Sequence, residues 1–305
     1  MGLNSRAAEI AMEMRERADE LDIRVLKLRG GAIVLDCGVE AAGSIEAGRL
    51  FSSVCLGGLA DVKVSEERYG TLKLPSVNVR TSEPRLACIG SQKAGWRIKV
   101  GGFFALGSGP ARLLLDNQKQ EFKESSTVAV LGLECSTLPD EKVSRYVAGK
   151  CGIKVENLTL LAARTASIVG SAQVSARMVE TALFKMEHLG MKTAVARATG
   201  MAPIAPIVGD DNRMMGVAND MIIYGSRVHL EIEGDVDVKA MPSESSPEYG
   251  VPFIEIYKRA GYDFYKIDQG IFAPAEVSVK NIRTGVVKSA GKIDLEMLEK
   301  TLSVE

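Results

Sequence analysis

The stretch VAVLGLECSTLPDEKVSRYVAGKCG, residues 128–152, decides the fold class. Val128 to Glu134 is a short apolar run, the pattern of a buried strand. Leu138 to Lys150 then reads as a helix. Pro139 suits its first turn, Asp140 and Glu141 put negative charge near its start, and Gly152 lies beyond its end. Downstream, Leu158 to Ala162 reads as another strand, and Val174 to Leu189 as a helix stopped by Gly190. Upstream, Ala7 to Leu21 reads as a helix, and Ile23 to Leu28 and Ala32 to Cys37 as strands around Gly30-Gly31. Leu50 to Gly58 is apolar and ends in Gly57-Gly58. Val62 to Val64 and Leu72 to Val79 read as short strands, with Pro75 arguing for an edge or a bend. Near the end of the chain, Glu276 to Lys280 and Val286 to Lys288 flank an NIRTG turn as a hairpin, and Asp294 caps a last helix, Leu295 to Leu302. Hairpins mixed with helices predict an α+β (mixed α/β) fold and not a pure doubly wound sheet.

The 305 residues allow one large domain or two modest ones. Two polar stretches are hinge candidates, Asp116 to Ser126 and Glu233 to Glu248, and the first places a tentative division into subdomains 1–125 and 126–305 within a single family unit, 1–305. Lys+Arg is 38 against Asp+Glu 39, a formal net charge of −1, which excludes a strongly basic nucleic-acid binder. His188 and His229 are the two histidines, so three-histidine chemistry is out. The cysteines, Cys37, Cys55, Cys88, Cys135 and Cys151, form no C-x-x-C, and zinc-ribbon and iron–sulfur readings lack support. The expectation is five reduced thiols in a cytoplasmic protein with no metal. No apolar run has the length of a membrane span, and the charged first helix lacks the apolar core of a signal peptide.

Thirty glycines punctuate the chain, and two clusters combine glycine with polar residues: GSQKAGW, residues 90–96, and GSGPAR, residues 107–112. Such clusters let backbone amides approach an anion, and equally make tight turns. GSGPAR is no dinucleotide fingerprint, because Arg112 occupies the third glycine position, and no P-loop exists. The candidate binding residues here are Ser91, Gln92, Lys93, Trp96, Ser108 and Gly109. They suit a flat polar heterocycle, or else a lysine at a turn beside a packed indole.

Helical phase on 174–189 gives an independent pointer. At about 100° per residue, Val174, Met178, Val179, Ala182, Leu183, Met186 and Leu189 share a core face, and Gln173, Arg177, Glu180 and Phe184 project from the other side. Arg177 and Glu180 are neighbours at a three-residue spacing. The face is a solvated surface with an ion pair, or the wall of a cleft. Phe184 favours the cleft, as does an order of charges that is the poorer one for a helix pair.

Taken together, several segments resemble the methenyltetrahydromethanopterin cyclohydrolase family: GAIVLDCGV (31–39), GGLADV (57–62), IGSQKAGWRIKV (89–100), ALGSGPAR (105–112), LPDEKV (138–143), TASIVGSAQVSARMVETALFKM (165–186), ANDMIIYGSRV (218–228) and YDFYKIDQGIFAPAEV (262–277). They lie in order over nearly the whole chain. Arg164 and the pair Met201-Ala202 depart from the pattern. The resemblance implies a metal-independent hydrolase without a redox cofactor. It would interconvert N5,N10-methenyl-tetrahydromethanopterin and its N5-formyl derivative, in the one-carbon metabolism of methanogenesis or methylotrophy. It also implies two subdomains with a substrate cleft between them, a homo-oligomer, in the family a trimer, and no nucleic-acid or membrane partner.

The family's catalytic arginine and glutamate match Arg177 and Glu180, and its lysine matches Lys93. On that reading Glu180 takes a proton from water, Arg177 keeps and orients the carboxylate, and Lys93 holds water or pterin. The competing class is a non-catalytic pterin- or nucleotide-binding protein on the same scaffold. A nucleotide-dependent ligase or kinase lacks its P-loop.

Overall fold

The computed structural model describes residues 1–116 and 121–303, with Tyr265 described by its backbone alone. Residues 117–120, within the polar stretch expected as a hinge, lie outside the described residues. Among the described residues the strands are, in chain order, β1 (Arg24–Lys27), β2 (Ile33–Gly38), β3 (Ala60–Tyr69), β4 (Leu72–Thr81), β5 (Trp96–Val100), β6 (Phe103–Ser108), β7 (Ala129–Glu134), β8 (Leu158–Ala163), β9 (Val195–Pro203), β10 (Arg227–Ile232), β11 (Glu276–Asn281) and β12 (Val287–Gly291). The α-helices are α1 (Leu3–Glu16), α2 (Ile45–Cys55), α3 (Glu141–Cys151), α4 (Ile168–Ser175), α5 (Met178–His188), α6 (Asp211–Gly225), α7 (Phe253–Arg259) and α8 (Leu295–Ser303). The expected α+β class holds, as two mixed six-stranded sheets.

The chain divides into two compact units, residues 1–62 with 86–173, and residues 63–85 with 174–305. The tentative cut after residue 125 falls inside the first unit, because β6 and β7, on either side of that cut, pair in one sheet with Leu106 opposite Glu134. The second hinge candidate is fastened within the second unit: the Ser243 hydroxyl donates to the Ile223 carbonyl, and the Ser243 amide to that of Pro274.

In the first unit the sheet order is β1-β2-β8-β7-β6-β5. Its centre, β2-β8-β7, is parallel, with Leu35 opposite Leu161 and Leu131 opposite Leu160. Both faces are covered. Leu131, Leu133 and Leu160 pack with Val143 and Val147 of α3 on one side. Val130 and Leu161 pack with Met14 of α1 and Phe51 and Val54 of α2 on the other. Burial on both faces is why VAVLGL is continuously apolar and does not alternate. Gly132 lies where a Cβ would come within 2.9 Å of the Phe51 ring and of the Cys55 sulfur, so its missing side chain lets α2 approach the sheet.

The strand-to-helix unit at residues 128–152 forms with one adjustment. Asp140 is the N-cap of α3, its carboxylate accepting from the amides of Lys142 (2.8 Å) and Val143 (2.9 Å), so Pro139 precedes the helix and is not in its first turn. Gly152 ends the helix at φ +68°, the left-handed cap that favours glycine.

In the second unit the order is β12-β11-β10-β9-β4-β3, in which β10 and β11 are parallel and the hairpin β11–β12 antiparallel as expected. β3 and β4 run ten residues each, longer than expected, and β4 is an inner strand, which corrects the edge reading of Pro75. Pro75 is tolerated because pairing with β9 starts one residue later, at Ser76 opposite Pro203, and the Pro75 carbonyl still accepts from the Ile204 amide at 2.7 Å. Helices α5 and α6 pack on β9, and α6 carries α7 and α8. Asp294 accepts from the Met297 amide and caps α8, as expected.

The expected single helix over 174–189 is two. α4 ends at Ser175 and α5 starts at Met178, with Arg177 at the bend in the bridge region of backbone space (φ −87°, ψ 1°). Among the described residues no helix is long and apolar enough to cross a membrane.

Candidate active-site elements in each unit

In the second unit, the bend between α4 and α5 creates the local geometry. Arg177 is the N-cap residue of α5, and Glu180 lies in the first turn, three residues on. A carboxylate in the first turn is favoured by the positive end of the helix dipole. Arg177 Nη1 donates to Glu180 Oε2 at 2.8 Å, and the two side chains are 12% and 13% exposed. A surface ion pair would be far wetter, so the solvated-face alternative loses its basis. The unfavourable charge order does not apply, because Arg177 is not inside the helix. Glu180 Oε1 accepts no hydrogen bond from any described residue, which leaves one carboxylate oxygen for a ligand or water.

The core face predicted for 174–189 is buried at Val174, which lies in α4, and at Met178, Val179, Ala182, Leu183 and Met186 of α5. Leu189 is the exception, exposed as the C-cap residue. Phe184 of α5 is half-buried, and Gln173, which falls in α4 within the first unit, is buried. Lys185, unremarked in the sequence, is buried, and its Nζ donates to the Gly270 carbonyl at 2.7 Å. Ser175 donates to the Pro203 carbonyl at 2.7 Å.

In the first unit, GSQKAGW and GSGPAR come together. Residues 85–92 form a π-helical turn, and the Lys93 amide continues its wide spacing by donating to the Cys88 carbonyl at 2.8 Å. The Ser91 hydroxyl donates to the Cys55 carbonyl at 2.7 Å and the Ser108 hydroxyl to the Gln92 carbonyl. The Gly109 amide donates to the Ser91 carbonyl at 2.9 Å, and Arg112 Nη1 to the carbonyls of Gly90 and Ser91 at 2.9 and 3.0 Å. Gly109, at φ +126°, adopts a backbone state that a side chain would strain. The structure thus brings Ser91, Gln92, Lys93, Ser108 and Gly109 into one hydrogen-bonded assembly. The two hydroxyls are buried and serve the assembly itself, while the Lys93 side chain is half-buried at its edge. Trp96 packs on the core with Ile98 and Leu131.

Two carboxylates the sequence did not single out sit at the carboxyl ends of the parallel strands, the usual place for polar sites in such sheets. Asp36 accepts from the amides of Gly38, Val39, Glu40 and Ala41, and so shapes the loop after β2. Glu134 accepts from Thr165 Oγ1 at 2.5 Å and Gln173 Nε2 at 3.3 Å. The strand pairing that places both at one end of the sheet is long-range. Deep in the second unit, Asp220 accepts from the Phe253 amide at 2.9 Å and from the Thr301 hydroxyl, and burial pushes its carboxyl up to about 7.

All five cysteines are buried, and burial pushes the thiols of Cys37 and Cys151 up, the latter to about 12. Among the described residues no three His, Cys, Asp or Glu side chains gather as a metal-binding group.

Comparison with known proteins finds similarity over nearly the whole chain. The family model described as "Cyclohydrolase (MCH)" matches residues 2–302. The methenyltetrahydromethanopterin cyclohydrolase of Methanocaldococcus jannaschii is 49% identical over 317 residues, covering 99% of this chain and 98% of that protein. Its counterpart in Methanococcus vannielii is 48% identical over 320 residues, with the same coverage. The one in Methanothermobacter thermautotrophicus is 44% identical over 322 residues, covering 100% of both. With a full-length family match and relatives far above the level at which fold and family diverge, this chain belongs to the MCH cyclohydrolase family.

Proposed function

We propose that the protein hydrolyses N5,N10-methenyl-tetrahydromethanopterin reversibly to the N5-formyl compound, with Glu180 as the general base. The observation that carries this reading is the nearly buried Arg177–Glu180 pair at 2.8 Å, in a chain whose relatives bear that activity in their names. The methenyl carbon lies between two nitrogens that share a positive charge. Water adds to that carbon, Glu180 accepts the proton that water loses, and a proton reaches N10 as the carbon–N10 bond breaks. The net change is one cation plus water giving one neutral formyl compound and a proton.

Base assistance of this kind contributes about 10²–10⁴-fold in rate. Arg177 holds Oε2 and so aims the other oxygen. It also tempers the attraction of a lone carboxylate for the substrate cation, since equal stabilisation of ground and transition states gains nothing in kcat. Lys93 contacts water or the pterin from its own loop. Gln92, Trp96 and Phe184 shape binding, and Ser91, Ser108 and Gly109 support it through the loop assembly. The steps use no metal or redox cofactor. A trimeric homo-oligomer in the cytoplasm, acting on a small C1-bearing pterin and on neither nucleic acid nor membrane, completes the reading; light scattering checks the trimer.

The test is loss of the methenyl chromophore, followed with methenyl-tetrahydromethanopterin beside methenyl-tetrahydrofolate. Turnover of the first, slowed by about 10²–10⁴-fold in a folded Glu180→Gln variant, is the expected result. Preference for the folate overturns the substrate. Binding without turnover in the wild-type protein makes it a binding protein on the same scaffold.

A further inference from the structure

Helix α5 offers its first turn to Glu180, but its main contact with the rest of the unit is apolar and therefore poor at fixing position. Gly200 of β9 has no side chain, and the helix presses on it so closely that a Cβ would lie 2.7 Å from Met178 Cγ and 3.0 Å from Val179 Cγ2. Such packing is tight but non-directional. Directional contacts stand at both ends of the segment that bears the pair. Ser175, fully buried at the last residue of α4, donates its hydroxyl to the Pro203 carbonyl at 2.7 Å. Lys185, 3% exposed, spends its buried ammonium on the Gly270 carbonyl at 2.7 Å.

A buried lysine is an expensive way to fill a core position that leucine or methionine would fill without desolvating a charge. Burial lowers its pKa, and the nearby Asp268 carboxylate, itself accepting from Ser246 Oγ at 2.6 Å and from the Gly270 amide at 3.2 Å, offsets part of that penalty. The same turn, residues 268–270, thus supplies both the acceptor and the counter-charge. Packing alone does not account for this choice; a need for fixed helix position does.

We propose that Ser175 and Lys185 are positioning residues that clamp the two ends of the Arg177–Glu180 segment, Ser175 to β9 and Lys185 to the turn at residues 268–270, and so aim the Glu180 carboxylate. The proposal rests on the reading of Glu180 as the base. Neither residue touches the reacting atoms; both act through Glu180. Misplacing a catalytic group by about 1 Å costs up to about 10²-fold in rate, whereas binding made elsewhere is little affected.

The experiment measures kcat and KM for Ser175→Ala and Lys185→Met at a temperature where circular dichroism shows each variant folded, alone and combined with Glu180→Gln. The expected result is a fall in kcat of about tenfold or more with KM within about threefold. Combined with Glu180→Gln, neither variant should lower the residual rate further. A kcat within twofold of wild type in both folded variants overturns the proposal. So does the same fold-loss with and without Glu180, which marks a role independent of it. If Lys185→Met does not fold, Lys185→Gln and Ser175→Ala decide by the same criteria. Failure of the underlying reading looks different: Glu180→Gln alone would then turn over like wild type.

Discussion

Arg177 and Glu180 are joined at 2.8 Å across the start of α5, the arginine outside the helix and the glutamate in its first turn. Because one partner sits on the bend and the other on the helix, their contact reports the angle at which the chain enters α5. If they act as one unit, their losses do not add. Glu180→Gln should lower kcat by about 10²–10⁴-fold. Arg177→Ala should be impaired by a comparable factor, and the double variant should be no slower than the slower single variant. Steady-state kcat of the three variants checks this; losses that multiply would make the pair two separate functions.

How much of this was legible follows the range of the interactions. Val128 to Glu134 announces β7 because burial on both faces demands an apolar run, and α3 announces itself through Asp140 and Gly152, whose roles are local. Arg177 and Glu180 were found by helical phase and by family resemblance. The break that positions them was not, because residues 175–177 contain neither glycine nor proline. Contacts from afar accompany the bend: Ser175 reaches Pro203, 28 residues on, and Lys185 reaches Gly270, 85 residues on. Pro75 misled in the opposite direction, since a proline just outside the paired register is compatible with an inner strand. Ser91 and Ser108 show a further limit. Their hydroxyls are polar and lie in glycine-rich segments, as binding groups do, yet each holds a carbonyl of its own unit.

Asp220 predicts a pH dependence of stability. Burial raises its carboxyl to about 7, with the Thr301 hydroxyl and the Phe253 amide pulling it partly back. An unfolded chain ionises aspartate near pH 4, about 3.9 in model peptides. Between about pH 4 and 7 the folded protein therefore holds a proton that the unfolded chain has released, and this contribution to stability, complete below about pH 4, is lost as pH rises through about 7. Asp220→Asn keeps an acceptor for Phe253 and a donor for Thr301 but does not titrate. Urea midpoints from pH 4.5 to 7.5 should show the variant gaining on wild type as pH rises. Parallel curves would mean that Asp220 does not titrate in this window.

Asp140 predicts a modest and purely local loss. Its carboxylate satisfies two of the amides that open α3, at Lys142 and Val143. Removing an N-cap of this kind costs about 1 kcal/mol. Asp140→Ala should lower the urea midpoint by the corresponding amount, Asp140→Ser should recover most of it, and kcat should stay at the wild-type value. A change in kcat would tie α3 to the reaction.

Gly132, in the stretch that decided the fold, carries a sharp steric constraint on the first unit's sheet. Val130 and Leu161 meet α1 and α2 on the face where Gly132 is bare, and the Phe51 ring and the Cys55 sulfur occupy the space its Cβ would need, at 2.9 Å. The opposing atoms belong to a rigid ring and to a short side chain anchored on α2, so neither can swing aside as a long flexible chain would. Gly132→Ala should therefore destabilise by about 1–3 kcal/mol through overpacking. Phe51→Leu creates room at the cost of lost burial, so the double variant should be more stable than the sum of the single losses predicts, with a coupling of about 0.5–3 kcal/mol. Trp96 is the chain's single tryptophan and is buried on the opposite face of the same sheet, so its fluorescence in a urea titration reads the unfolding of this unit. Strict additivity of the two substitutions would show that α2 shifts away from the sheet as a whole and does not hold Phe51 against residue 132.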